Sequence, residues 1–273
     1  MSRFKDYKEL SEKEFSLYTY QKEDGSIDYD AYVQIQSDLN KRKLHLNGPS
    51  EIQIEQMSHY IRAEFQAVGL VPKVGLCHGT RQGHEQLHFS KHLDIAVMGT
   101  EISDTAEQFP QTIKWDFHDV QDAWVDNIDF IYSNSLDHSY DPIYCLKQWF
   151  KCLRVGGICI LGWEKSDGHI EKEKAGLLSS KDSEIQGDPF CGTLEAYAKI
   201  IKIAGETDGV TGLKYILNTE YAAVTQPKGI FWDIEKSEYG LFDYHFVIQK
   251  FANTPKSAIP IQSYRGLDTS PTQ

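Results

Sequence analysis

The segment VGLCHGTRQGHEQ carries Gly75, Gly79 and Gly83 spaced four apart, between a short apolar run and a helical pattern. Glycines at such a strand-to-helix turn let backbone N–H groups approach a ligand closely, and the first turn of the helix adds partial positive charge suited to a carboxylate or phosphate. An ordinary turn would use glycine in the same way. What singles this one out is the next apolar run, DIAVMGTE, which ends in Glu101. That residue stands about 20 residues beyond Gly79, where an acid meets ribose hydroxyls in dinucleotide-type folds. A third run ends in TIKWDFHD, so Asp116 can accept from the exocyclic amine of a base while Phe117 packs beside the ring. A helix or turn cap and a core position are the plainer roles of these two. The fourth run opens into IYSNSLDHSYD, a dense polar cluster containing Ser133, Asn134, Asp137 and His138. With an ordinary pKa of about 6.5, His138 can take a proton from an acceptor at neutral pH, and Asp137 is the second candidate base. His138 can equally cap the helix that follows.

These groups sit at the ends of elements that the pattern of the chain predicts. Ser50 opens a helix with Ile52, Ile54, Met57, Ile61 and Phe65 on one face and Gly69 at its end. Short apolar runs then alternate with helical patterns: 74–77, a helix from about Gly83, 94–100, a short helix near 103–109, 112–116, 129–134, a helix over 141–153, and 158–163. That alternation predicts βαβ units and an α/β, Rossmann-like doubly wound, mainly parallel sheet. The runs GIFWDIE (229–235) and YHFVIQK (244–250) predict an antiparallel C-terminal hairpin added to it. The long polar stretch 164–192 reads as a surface insertion or as a lid over the acceptor.

The order of these motifs, with YSNSLDHSYDP before a helix ending in LRVGG, resembles the class I S-adenosylmethionine-dependent methyltransferases, in their methyltransferase-domain subset, over about residues 70–165 and the terminal hairpin. The resemblance implies S-adenosylmethionine as cofactor, with the His78–Gly79–Thr80 turn holding its methionine part and Glu101 its ribose. It also implies Asp116 and Phe117 at the adenine, and Ser133 and Asn134 beside the sulfonium. Polarity and turn signals set off an N-terminal extension (1–49), and Pro, Ser and Thr mark a flexible tail (252–273), leaving a methyltransferase-like domain over 50–251. The first motif departs from the family: it reads G-x-x-x-G-x-x-x-G, and Cys77-His78 stands where many members carry an acid. A NAD(P)-dependent oxidoreductase would use a similar strand, turn and acid, but G-x-G-x-x-G is missing. A non-catalytic binding module of the same fold is the third reading.

Composition narrows the acceptor. A formal charge of −12 repels nucleic acid and anionic membranes, and the basic cluster Lys41-Arg42-Lys43 reads as a solvated loop or helix end. The Asp/Asn-Pro-Pro-Tyr signature of many nucleic-acid amino methylators is also absent. The expected acceptor is therefore a small molecule or a glycan hydroxyl. No apolar run approaches the ~18 residues of a membrane span, and the odd set of five cysteines fits a reducing, cytoplasmic setting. His84, His88 and His92 share a helical face, but no neighbouring carboxylate pattern completes a metal site, so none is expected. Trp115, Trp149, Trp163 and Trp232 read as core packing.

Overall fold

The computed structural model describes residues 5–11, 13–46, 48–168, 176–179, 187–206, 211–218 and 244–251. Its strands are β1 (Phe15–Thr19), β2 (Val74–His78), β3 (Ala96–Glu101), β4 (Thr112–Lys114), β5 (Ile128–Ser133), β6 (Leu153–Trp163), β7 (Gly176–Ser179), β8 (Phe190–Gly192), β9 (Thr211–Asn218) and β10 (Tyr244–Lys250). Its α-helices are α1 (Tyr29–Arg42), α2 (Glu51–Ala67), α3 (His84–Leu93), α4 (Pro142–Cys152) and α5 (Leu194–Glu206).

Local chemistry sets the elements. Ser50 and Gln53 form a reciprocal capping box at the start of α2, whose Ile54, Met57, Ile61 and Phe65 are all buried. Asp141 accepts from the Tyr144 N–H to open α4, with Pro142 in the first turn. Every residue of β5 is buried, as a strand covered on both faces requires.

The main sheet runs β4-β3-β2-β5-β6-β10-β9. β4, β3, β2, β5 and β6 are parallel, and β10 is antiparallel to β6 and β9. The chain thus builds outward from β2 through β3 to β4, returns to β5 on the other side of β2, and reverses its winding between β2 and β5. Side chains alternate between two cores: Cys77, Phe130, Ile158 and Ile160 pack with α2 and α3, while Leu76, Ile131, Cys159 and Leu161 pack with α4 and α5. Gly75 serves this packing, since a Cβ there would stand 2.2 Å from the Phe130 ring.

Three expectations change. Both edges of β10 are filled, by β6 and β9, so its hairpin partner is Thr211–Asn218 and not 229–235, which lies outside the described residues. LRVGG, read as the end of the helix, is instead the opening of β6, with Gly156 at φ +81° and a register shift opposite Ile128. The first 49 residues, expected as an extension outside the 50–251 domain, contain β1, which pairs parallel with β7 and antiparallel with β8 from the 164–192 stretch. Tyr7, Leu10, Phe15 and Leu17 enter the same core as α4 and α5, and the buried Tyr7 hydroxyl donates to Asp141 at 2.8 Å. The expected tail, 252–273, and Trp232 lie outside the described residues. Among the described residues no helix is long and apolar enough to cross a membrane.

Candidate functional site

The carboxyl ends of β2, β3 and β5 meet where the strand order reverses, the position at which open α/β sheets bind ligands. A cavity of about 50 Å³ lies there. Gly79, Arg81, Glu101, Phe117, Ser135 and His138 line one side of it; Tyr32, Gln36, Leu39, Asn40 and Lys43, from α1 and the residue capping its end, close the other.

Glu101 ends β3 and is only 6% exposed. One carboxylate oxygen accepts the Ser103 N–H at 3.1 Å and the other the Arg81 N–H at 3.0 Å. Burial pushes its carboxyl above the usual range, against the pull of those bonds and of the nearby His138 and Arg81 charges. Gly79 follows β2 at φ +70°, and a Cβ on it would stand 2.6 Å from that of Ser135, so only glycine lets these two strand ends close up. The Ser135 hydroxyl donates to the Gly79 carbonyl at 3.1 Å.

The turn does not present a row of free amides. The N–H groups of Gly79 and Thr80 both donate to the Thr100 carbonyl, at 2.9 and 3.1 Å, and that of Arg81 is held by Glu101. His78 lies behind the cavity, its Nδ1 2.8 Å from the Thr100 hydroxyl and its ring stacked 4.7 Å from Trp149. Burial lowers its pKa to about 3, so it is neutral. Thr80 is buried off the lining, and its hydroxyl has no hydrogen-bond partner among the described residues.

Asp116 is engaged elsewhere. One oxygen accepts from the His118 backbone at 2.9 Å and pairs with His118 Nδ1 at 2.7 Å; the other accepts the Tyr29 hydroxyl at 2.8 Å. His118 Nε2 in turn lies 2.7 Å from the Ser139 hydroxyl, with the ring between Phe117 and Tyr140. Burial would raise the Asp116 carboxyl, but His118 and Tyr29 outweigh it and hold the group below its usual range. Asp116 thus ties α1 to the turn after β4, while its neighbour Phe117 faces the cavity. Ser133 and Asn134 are likewise spent on the fold: Ser133 Oγ donates to the His78 carbonyl at 3.1 Å, and Asn134 Nδ2 to that of Gly48 at 3.0 Å.

His138 borders the cavity between two carboxylates. Its Nδ1 lies 3.2 Å from Asp188 and 3.3 Å from the Gly187 carbonyl, and its Nε2 lies 3.8 Å from Asp137. Burial works to lower its pKa, yet the flanking Asp137 and Asp188 raise it overall. Desolvation pushes the Asp137 carboxyl up. The sequence pattern missed Arg81, Ser135, Asp188 and the α1 face. Tyr32, Gln36, Leu39, Asn40 and Lys43 do recur at helical spacing, the one signal that could have found them. Lys43, read as part of a solvated basic end, is in fact a wall of the cavity.

No protein-family model matches the chain, and no curated protein does. Solved structures do. The plantazolicin methyltransferase BpumL in complex with SAH is 17% identical, with TM-score 0.51 over 82% of this chain and 91% of that one. A Burkholderia thailandensis 1,6-didemethyltoxoflavin-N1-methyltransferase is 13% identical, with TM-score 0.49 over 81% and 90%. The first likeness shows a shared Rossmann-like fold.

Proposed function

We propose that the chain binds S-adenosylmethionine in this cavity and transfers its methyl group to a small-molecule or sugar-hydroxyl acceptor. The observation that carries the reading is Glu101, a buried carboxylate beside the Gly79 turn at the reversal point of the sheet. The residues fit an adenosyl group. Each Glu101 oxygen accepts one backbone bond and keeps capacity for a ribose hydroxyl, and Phe117 offers an aromatic face. The fold shared with a methyltransferase whose structure contains SAH supports the same cofactor.

The cavity of about 50 Å³ is far below the ~300 Å³ of a small-molecule pocket, so α1 must move outward to admit a nucleoside. A nicotinamide dinucleotide is disfavoured for a specific reason: the Gly79 and Thr80 amides that would cradle its diphosphate are bonded to Thr100.

The bound sulfonium would supply a methyl group already activated for transfer. What the chain adds is position and a base. Glu101 and Phe117 hold the nucleoside, α1 closes over it and excludes water, and His138 accepts the proton of a hydroxyl acceptor. The charge of −12 and the enclosure by α1 favour a small acceptor over a nucleic acid.

Calorimetry with S-adenosylmethionine, S-adenosylhomocysteine and NADH tests the reading. We expect micromolar binding of the first two and none of the third. Glu101→Gln should weaken binding roughly 10- to 100-fold, the worth of hydrogen bonds to a charged group. Absence of heat with both adenosyl compounds would overturn the proposal, and binding without turnover on any acceptor would leave a non-catalytic module.

A further inference from the structure

On the side of the sheet covered by α2 and α3, away from the cavity, two helices bring together a donor set that sequence distance conceals. His84, His88 and His92 project from one face of α3, and the first residue of α2, Glu51, reaches the same place. Glu51 Oε1 lies 3.2 Å from His88 Nδ1 and 3.4 Å from His92 Nε2, and the three donor atoms are all within 4.8 Å of one another.

Two details separate this cluster from a surface ion pair. His88 Nδ1 and His92 Nε2 are both shut off from solvent, and neither makes a hydrogen bond, to Glu51 or to any other described residue. They approach the carboxylate oxygen closely without the alignment of an N–H donor. The two separations from Glu51 also match edges of a coordination polyhedron: donors held about 2.0–2.1 Å from a tetrahedral Zn²⁺ stand about 3.3–3.4 Å apart. Imidazoles at positions i and i+4 of a helix with one carboxylate suit Zn²⁺ and similar borderline divalent ions.

We infer that Glu51, His88 and His92 form a binding site for a divalent transition ion of the Zn²⁺ type, with water as the fourth ligand. His84 is a positioning residue: its Nε2 lies 3.0 Å from the Pro49 carbonyl, and its ring packs 4.3 Å from that of His88. Lys91, whose Nζ lies 2.6 Å from the same Glu51 oxygen, is displaced when the ion binds; its side chain is 66% exposed and swings into solvent easily. The ion clips the first turn of α2 to α3, the helix that follows the Gly79–Gly83 turn. Its role is structural, and it stands apart from the proposed methyl transfer.

The test uses the full chain, stripped with a chelator and titrated with Zn²⁺ by calorimetry and by thermal unfolding. We expect one ion per chain and a rise in Tm. In His88→Ala/His92→Ala, Zn²⁺ affinity should fall on the order of 100-fold and the Tm rise should vanish, while an unchanged far-ultraviolet spectrum reports that the variant is folded. Co²⁺ in place of Zn²⁺ should give the strong visible absorption of a tetrahedral site, lost in Glu51→Ala. Absence of binding to the stripped protein, or equal Zn²⁺ affinity in the folded double variant, overturns the assignment. Neither result depends on whether the chain binds an adenosyl group.

Discussion

His138 cannot accept a proton while it carries one, and its pKa is raised because Asp137 and Asp188 outweigh the effect of burial. Turnover of a hydroxyl acceptor should therefore increase as pH rises through a midpoint above about 6.5, the ordinary histidine value. The stability contributed by this protonation runs the other way: it is complete below the ordinary pKa and lost as pH rises through the raised one. Asp188→Asn removes one of the two charges and should move the midpoint of the kcat/KM profile to lower pH. A profile identical to that of the wild type would remove His138 from the role of base. At this scale the sequence reads placement well where a residue stands at the end of its own strand, as Glu101 and Gly79 do. It reads poorly where partners come from afar. Nothing near Asp116 in the chain announces that Tyr29 will occupy one of its oxygens, and so its engagement within the fold was hidden.

Among the elements, α1 is the one that covers the cavity, and the proposed binding needs it to open. It is held over the cavity by the buried Tyr32, packed against Tyr20 and Tyr140, and by polar contacts: Tyr29 to Asp116, the Tyr32 hydroxyl to the His138 carbonyl at 3.2 Å, Gln36 to the Gly187 carbonyl at 2.6 Å, and the Thr105 hydroxyl to Asn40 at 2.8 Å. We expect amide hydrogen exchange across 29–42 to slow when S-adenosylhomocysteine binds. In the free protein, Tyr29→Phe should speed that exchange roughly fivefold, the effect of losing about 1 kcal/mol at a half-exposed contact. Exchange that ignores both ligand and substitution would mean that α1 is not the gate. The parallel strands and their helices were readable because apolar runs and helical faces are local signals. β1 was not, because its pairing strands, β7 and β8, lie more than half the chain away, and the α4 and α5 side chains that share its core lie nearly as far or farther. A shorter separation hid the carboxylate beside the α3 histidines, since Glu51 stands on a different helix.

For the molecule as a whole, the buried histidines set a limit on the acid side. Burial lowers His245 on β10 to about 3, as it does His78. Between about 6.5 and 3 the unfolded chain binds a proton at each that the folded chain excludes, so each draws stability down as pH falls, by at most roughly 1.4 kcal/mol per unit. Glu85, raised by burial to about 8, acts in the opposite sense above its ordinary pKa, so a single variant gives the clearer reading. Denaturant midpoints of His245→Leu and the wild type, compared from pH 7 to 4, should diverge in favour of the variant as pH falls. A constant difference would mean that His245 is protonated in the folded state.

The place of β10 between β6 and β9 also bears on how the chain is made. A ribosome delivers β6 long before β10, and β9 shortly before it, and until then each lacks the strand that pairs with its N–H and C=O groups. The last described strand closes both edges at once. For the time taken to synthesise residues 219–250 the nascent chain is most open to pairing with its neighbours on the same message, so the speed of translation there, and the chaperones at hand, govern its yield.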